Sequence, residues 1–159
     1  LTVSVLALDL GKKVGWAANT PGSWTSGVED FSPQWSESAG MCMLRFKGWL
    51  DRITVMVQVT GIHYELVQGY RGGAAARLWS GFWSHLLSWC EENAIPCAGV
   101  PVGTLKKYAT GHGGCNKQAM IDAAIAKGWE PEDDNEADAL WLLDYVLNGR
   151  KYNKEANDA

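Results

Sequence analysis

Residues 3–10, Val-Ser-Val-Leu-Ala-Leu-Asp-Leu, form an almost unbroken apolar run rich in β-branched and aliphatic side chains. A strand with one wet face alternates apolar and polar residues, so a run like this must be covered on both faces. It therefore predicts a central strand with helices above and below the sheet, and it makes the acid inside it, Asp9, an anomaly to be explained.

The rest of the chain supplies the partners that such a strand needs. Strands are expected at 14–18 and 24–31, separated from the first and from each other by the turn at 11–13 and the breaker cluster 19–23, as in antiparallel hairpins. Helical spacing of Met41, Leu44, Trp49, Leu50 and Ile53 predicts a helix over 36–57, and 61–67 reads as a short strand containing Glu65. A glycine-rich turn then leads to the clearest helix, 74–93. Its rows Leu78–Phe82–Leu86 and Trp79–Trp83–Leu87 make an apolar face wide enough for both the sheet and a partner. A strand over 96–102, a loop rich in Gly, Thr and Lys, and helices over 116–126 and 134–147 complete a mixed α/β domain.

With 159 residues the chain suits one domain, 1–148, followed by a polar tail, 149–159, that buries too little to offset its ordering entropy. No apolar stretch is long enough to span a bilayer and no signal peptide is visible, so a cytoplasmic location is expected. Four cysteines without a close pair and three histidines without i,i+4 spacing argue against zinc and for reduced, mostly buried thiols. Nine tryptophans exceed what a core of this size requires, which predicts that some serve a subunit contact or a ligand surface.

The net charge of −4 hides a segregation. From 66 to 120 the bases Arg71, Arg77, Lys106, Lys107 and Lys117 meet only Glu91 and Glu92. From 129 to 149 seven acids, Asp134 and Asp138 among them, meet no base. A basic surface tracking phosphates beside an acidic spot that needs cations fits this pattern, as does a solvated acidic helix face.

Three acids stand where regular elements hold them: Asp9 at the end of the first strand, Glu65 in the fourth, and Asp138 in the first turns of the last helix. Buried salt bridges would account for them, yet apart from Lys12 and Lys13 after Asp9 no base lies near them in sequence. Hard oxygen ligands on rigid elements suit Mg²⁺ or Mn²⁺, and two such ions roughly 4 Å apart activate water and stabilise the leaving oxygen in phosphodiester hydrolysis. In the last helix Asp133 and Glu136 have the spacing of a capping box. Asn135 and Asp134, three and four residues before Asp138, then share its face. Charge favours Asp134 as a fourth metal ligand.

The chain resembles the RuvC family of Holliday junction resolvases, and more closely its phage-encoded branch. The resemblance runs from Leu6-Ala-Leu-Asp-Leu-Gly11 to Asn135-Glu-Ala-Asp-Ala-Leu140. Its most specific part is Gly99-Val-Pro-Val-Gly-Thr-Leu-Lys-Lys-Tyr-Ala-Thr-Gly111 followed by Asn116-Lys-Gln-Ala-Met120, which is similar to the family's lysine loop. It implies a ribonuclease-H-like fold, a homodimer, Mg²⁺ dependence, and paired nicks by a crossover junction endodeoxyribonuclease acting on four-way junctions. It also implies that Lys107 and Lys117, with Lys106 beside them, approach the DNA backbone. The family pattern favours Asn135, at the three-residue spacing, as the position that completes the site beside Asp9, Glu65 and Asp138. Leu10 stands where bacterial members commonly have proline, and Asn135 where many have Asp or His. Tyr70 and Arg71, just past the Glu65 strand, either reach the junction centre and stack on an unpaired base or are surface residues of a turn. Two other activities remain open on the sequence: cutting of flaps and forks by the same fold, and a non-catalytic DNA-binding role, which loss of Asp9 or Glu65 would have favoured.

Overall fold

The structure, a computed structural model, describes residues 3–69 and 72–158, with side chains to Gly149. Strands β1 (Val5–Asp9), β2 (Lys13–Thr20) and β3 (Ser23–Asp30) are followed by α1 (Ala39–Met56), β4 (Gly61–Leu66), α2 (Ala74–Glu92) and β5 (Cys97–Pro101). Helices α3 (Val102–Thr110), α4 (Lys117–Ala126) and α5 (Asp134–Asp158) end the chain. The five strands form one mixed sheet in the order β3-β2-β1-β4-β5. β1 pairs antiparallel with β2 and parallel with β4, β2 pairs antiparallel with β3, and β4 pairs parallel with β5. Consequently β1, β3, β4 and β5 all run the same way, and their C-terminal ends share one edge.

As expected from its composition, β1 is central and covered twice. Leu6 and Leu8, with Ile62 and Tyr64 of β4, pack against Phe46, Leu50, Phe82 and Leu86 of α1 and α2. Val5 and Ala7 point the other way, into a cluster with Leu140, Leu142 and Leu143 of α5. Helix α4 covers α5 through Met120, Ala124, Ala137 and Trp141. Among the described residues no helix is long and apolar enough to cross a membrane.

Two elements differ from the sequence expectation. The stretch expected as a lysine-rich loop contains α3, closed by Gly111 in the left-handed conformation (φ 79°) with its N–H on the Lys107 carbonyl at 2.8 Å. Only Leu105 of this helix is fully buried, so its apolar period spans barely two turns and is masked by Gly103 and Thr104. Helix α5 continues to Asp158, beyond the expected end at 147. The expectation of a loose tail concerns side chains beyond Gly149, which lie outside the described residues.

Candidate metal centre

The register of β1 and β4 assembles the site. Leu8 lies opposite Tyr64, so the next step of the parallel ladder sets Asp9 beside Glu65. Because side chains alternate, both carboxylates leave the face that holds Leu8 and Tyr64 and point toward α5. There Asp138, in the second turn of α5, meets them: one carboxylate oxygen from each of Asp9, Glu65 and Asp138 lies within 4.8 Å of the others. Gly15, opposite Asp9 in β2, lets the helix come this close. A Cβ on Gly15 would overlap the Asn135 carbonyl group and sit 2.9 Å from the Glu136 nitrogen.

The start of α5 is fixed by its own acids. Asp133 caps it, Oδ1 accepting the Glu136 N–H at 3.0 Å. The reciprocal half of the capping box is altered. Glu136 is buried and accepts from the Glu132 N–H at 2.7 Å and from Ser26 Oγ of β3 at 2.7 Å, so it ties the helix to the sheet.

Among the described residues no side-chain hydrogen bond or ion pair is made by the carboxylates of Asp9, Glu65 or Asp138, although Glu65 is only 9% exposed. Burial and mutual repulsion therefore dominate, and neighbouring lysines offset them only in part. Asp9 is driven well above the usual carboxylate range by burial and then by Glu65, Asp138 and Asp134. Burial, with Asp138 beside it, pushes Glu65 up to about 8, and burial with Asp134 pushes Asp138 up to about 6. Lys117 opposes all three shifts, and Lys106 opposes those of Glu65 and Asp138. Three converging carboxylates that resist ionising together can bind a metal ion, whose charge removes the conflict. The donor set is all oxygen. The four cysteines are free thiols, Cys42 and Cys90 buried and Cys97 and Cys115 half-buried.

The remaining predicted residues surround the triad. Lys117, the first residue of α4, is paired with Asp134, an ion pair hidden in the sequence because α4 and α5 are separated by a loop. Lys106 donates to the Cys115 carbonyl at 2.9 Å, and Lys107 is exposed on the last turn of α3. Asn135 turns its amide to Asp133 Oδ2 at 3.1 Å. Tyr70 and Arg71 lie outside the described residues. Sequence reasoning missed the parts played by Gly15, Ser26 and Glu136, which act through long-range contacts that no local pattern announces.

Solved structures that resemble the chain include three of junction resolvases. RuvC of T. thermophilus in complex with a Holliday junction substrate matches with a TM-score of 0.73 at 19% identity over 89% of this chain and 90% of that one. A second Thermus thermophilus RuvC structure gives 0.71 at 20% identity over 92% and 97%. The yeast mitochondrial Holliday junction resolvase Ydc2 gives 0.60 at 17% identity over 89% and 76%. No protein-family model and no curated protein sequence matches the chain. The mixed sheet in the order β3-β2-β1-β4-β5, with helices on both faces, is thus the ribonuclease-H-like fold in the form that RuvC takes.

Proposed function

We propose that the chain is a structure-selective DNA endonuclease that resolves four-way junctions by metal-dependent phosphodiester hydrolysis. The observation that carries this reading is the triad of Asp9, Glu65 and Asp138, converging carboxylates of which Glu65 is buried and the other two half-buried, with no ion pair of their own, set on the fold of solved junction resolvases. These residues would hold Mg²⁺ or Mn²⁺, two ions per site, with Asp134 adding charge at the margin. When bound, such ions lower the pKa of a water and neutralise charge on the leaving oxygen. The chain's own side chains do the rest. Lys106 and Lys117 act electrostatically on the triad and Lys107 is exposed on α3, which supports a role for all three in meeting phosphates of the DNA. Asp133 and Glu136 fix the pitch of α5, and so hold Asp138 over Asp9.

The motif likeness of residues 6–11 and 135–140 supports placement in the phage-encoded branch of the RuvC family. Symmetrical nicking requires two sites facing opposed strands, which a two-fold homodimer provides. Purified protein with Mg²⁺ on an immobile four-way junction, a flap and linear duplex tests the reading. Paired nicks on the junction alone are expected. Preferential flap cutting would shift the substrate to other branched DNA, and binding without cleavage of any of the three would leave a non-catalytic DNA-binding factor.

A further inference from the structure

The segment between β3 and α1, residues 31–38, leaves the sheet at the edge where Asp9 ends β1. Its backbone is heavily pinned. The Phe31 N–H bonds the Lys12 carbonyl at 2.7 Å, and the Phe31 ring packs in the core on Phe46, Trp49 and Phe82. Arg45 of α1 donates to the Ser32 carbonyl at 3.0 Å and to Glu37 at 2.8 Å, and the same Glu37 carboxylate accepts the Gln34 N–H at 2.9 Å. Ser36 is held at φ 75°, a conformation a non-glycine residue adopts at a cost.

The large apolar side chain that this ordered segment exposes is Trp35. Trp35 is 97% exposed, whereas the next most exposed tryptophan, Trp24, is 37% exposed and packs against the Trp129 ring at a tilt. Protein contacts usually surround an aromatic anchor with further apolar side chains. The chain neighbours of Trp35 are instead Ser32, Pro33, Gln34, Ser36, Glu37 and Ser38; the exposed Lys12 and Lys13 lie on the adjoining turn, Lys13 opposite Asp30, and the exposed Met41 and Leu44 follow on α1. A nucleobase needs only one aromatic face to stack on, with cations near its phosphate. β3, which leads into this segment, lies two strand spacings, roughly 10 Å, from β1, and ends at the same edge of the sheet.

We propose that Trp35 is a substrate-positioning residue that stacks on an unpaired nucleobase of the DNA strand running past the metal centre. The inference rests on the reading of branched DNA as substrate and adds the residue that would grip a base at the branch.

The test is binding of four-way junctions carrying 2-aminopurine at successive positions near the branch, in an Asp9→Asn background that blocks cleavage. Trp35→Ala should weaken binding roughly ten-fold. It should leave the salt slope unchanged, because no phosphate contact is lost, and abolish fluorescence quenching at one position. Trp35→Phe should recover most of both. Wild-type affinity and quenching in Trp35→Ala would overturn the proposal, as would a loss that accompanies conversion of a dimer to a monomer in sedimentation, which would make Trp35 a protein contact. If the Asp9→Asn protein with Trp35 intact binds no branched DNA, the functional reading fails and this inference falls with it. Binding that is indifferent to Trp35 overturns the inference alone.

Discussion

Asp138 and Asp144 lie six residues apart on α5, and the fold treats them in opposite ways. Asp144 is 2% exposed and fully partnered: Lys127 forms an ion pair with it, Tyr108 donates its hydroxyl at 2.9 Å, and Asn148 donates its amide at 2.9 Å. Lys127 in turn rests over the rings of Trp129 and Trp141, 4.9 Å from each centroid. Asp138 converges with two other carboxylates and has no ion pair; of the two lysines that act on it, Lys117 is paired with Asp134 and Lys106 with the Cys115 carbonyl. The chain is therefore able to neutralise a buried acid where structure alone is at stake. Asp9, Glu65 and Asp138 have no such ion pair, and their uncompensated charge suits the proposed cation.

This contrast gives its sharpest prediction as a swap of phenotypes. Asp9→Asn or Glu65→Gln should reduce junction cleavage to background, a fall of at least about 100-fold, because each removes a metal ligand. Junction binding should stay intact or tighten, since the lysines are untouched. Asp144→Ala should do the reverse, lowering stability by about 3 kcal/mol while leaving cleavage by the folded protein within a few-fold. Breaking a buried pair leaves its partners unsatisfied, and the figure stays at the low end because Lys127 keeps some solvent. Urea unfolding and single-turnover cleavage on the same preparations measure both. Near-normal cleavage by Glu65→Gln would remove the metal reading and place the triad with Asp144 as structure.

Gly15→Ala comes next in size. The added methyl collides with backbone rather than with a movable side-chain tip, so α5 must shift away from β2. Expected are a stability loss of about 2–3 kcal/mol and a marked fall in cleavage at temperatures where the protein stays folded, as Asp138 is drawn off Asp9. Activity unchanged in a folded Gly15→Ala protein would show that the distance between α5 and the sheet does not set the triad.

How much of this was legible in the sequence follows the range of the interactions involved. β1 and its double cover were readable because burial on both faces writes itself into every residue of a strand. Asp9 and Glu65 stood out for the same reason, as acids inside apolar runs. Helix α3 was not readable, since a short helix with one buried residue leaves almost no periodic trace. The Lys117–Asp134 and Ser26–Glu136 contacts, which tune and orient the site, join residues far apart in sequence and have no local signature. The same limit applied to Asp144, which counted toward an acidic run without a base until the fold brought Lys127 to it.

A smaller effect separates the two acid environments by pH. In the metal-free folded protein Glu65 titrates at about 8 against 4.5 for an ordinary glutamate, and Asp138 at about 6 against 3.8. Between each pair of values the folded chain holds a proton that the unfolded chain has released. These groups therefore make stability fall as pH rises from about 4 to about 8. A divalent cation competes with those protons, so the rise in Tm on adding Mn²⁺ or Mg²⁺ should grow across the same range and vanish in Glu65→Gln. In Asp144→Ala the increment should persist. A metal increment that is flat with pH would mean that the cation binds outside the triad.

The smallest expected effect concerns the margin of the site, where Asp134 and Asn135 compete for the place beside Asp138. Asp134 adds its charge to both Asp9 and Asp138 and is held by Lys117, while the Asn135 amide is engaged by Asp133. The Lys117–Asp134 pair is largely exposed on the lysine side, so breaking it should cost at most about 1 kcal/mol of stability. Its consequences belong to function. Asp134→Ala should raise the Mg²⁺ concentration for half-maximal cleavage several-fold with little change at saturation, because it withdraws charge without removing a member of the triad. Lys117→Ala should weaken binding to every branched substrate alike and reduce the slope of log affinity against log salt by about one. Asn135→Ala should act mainly through the loosened start of α5, lowering cleavage without moving the Mg²⁺ midpoint. If Asn135→Ala instead shifts that midpoint and Asp134→Ala does not, the three-residue spacing supplies the fourth ligand, and the orientation of Asn135 toward Asp133 gives way when the cation binds.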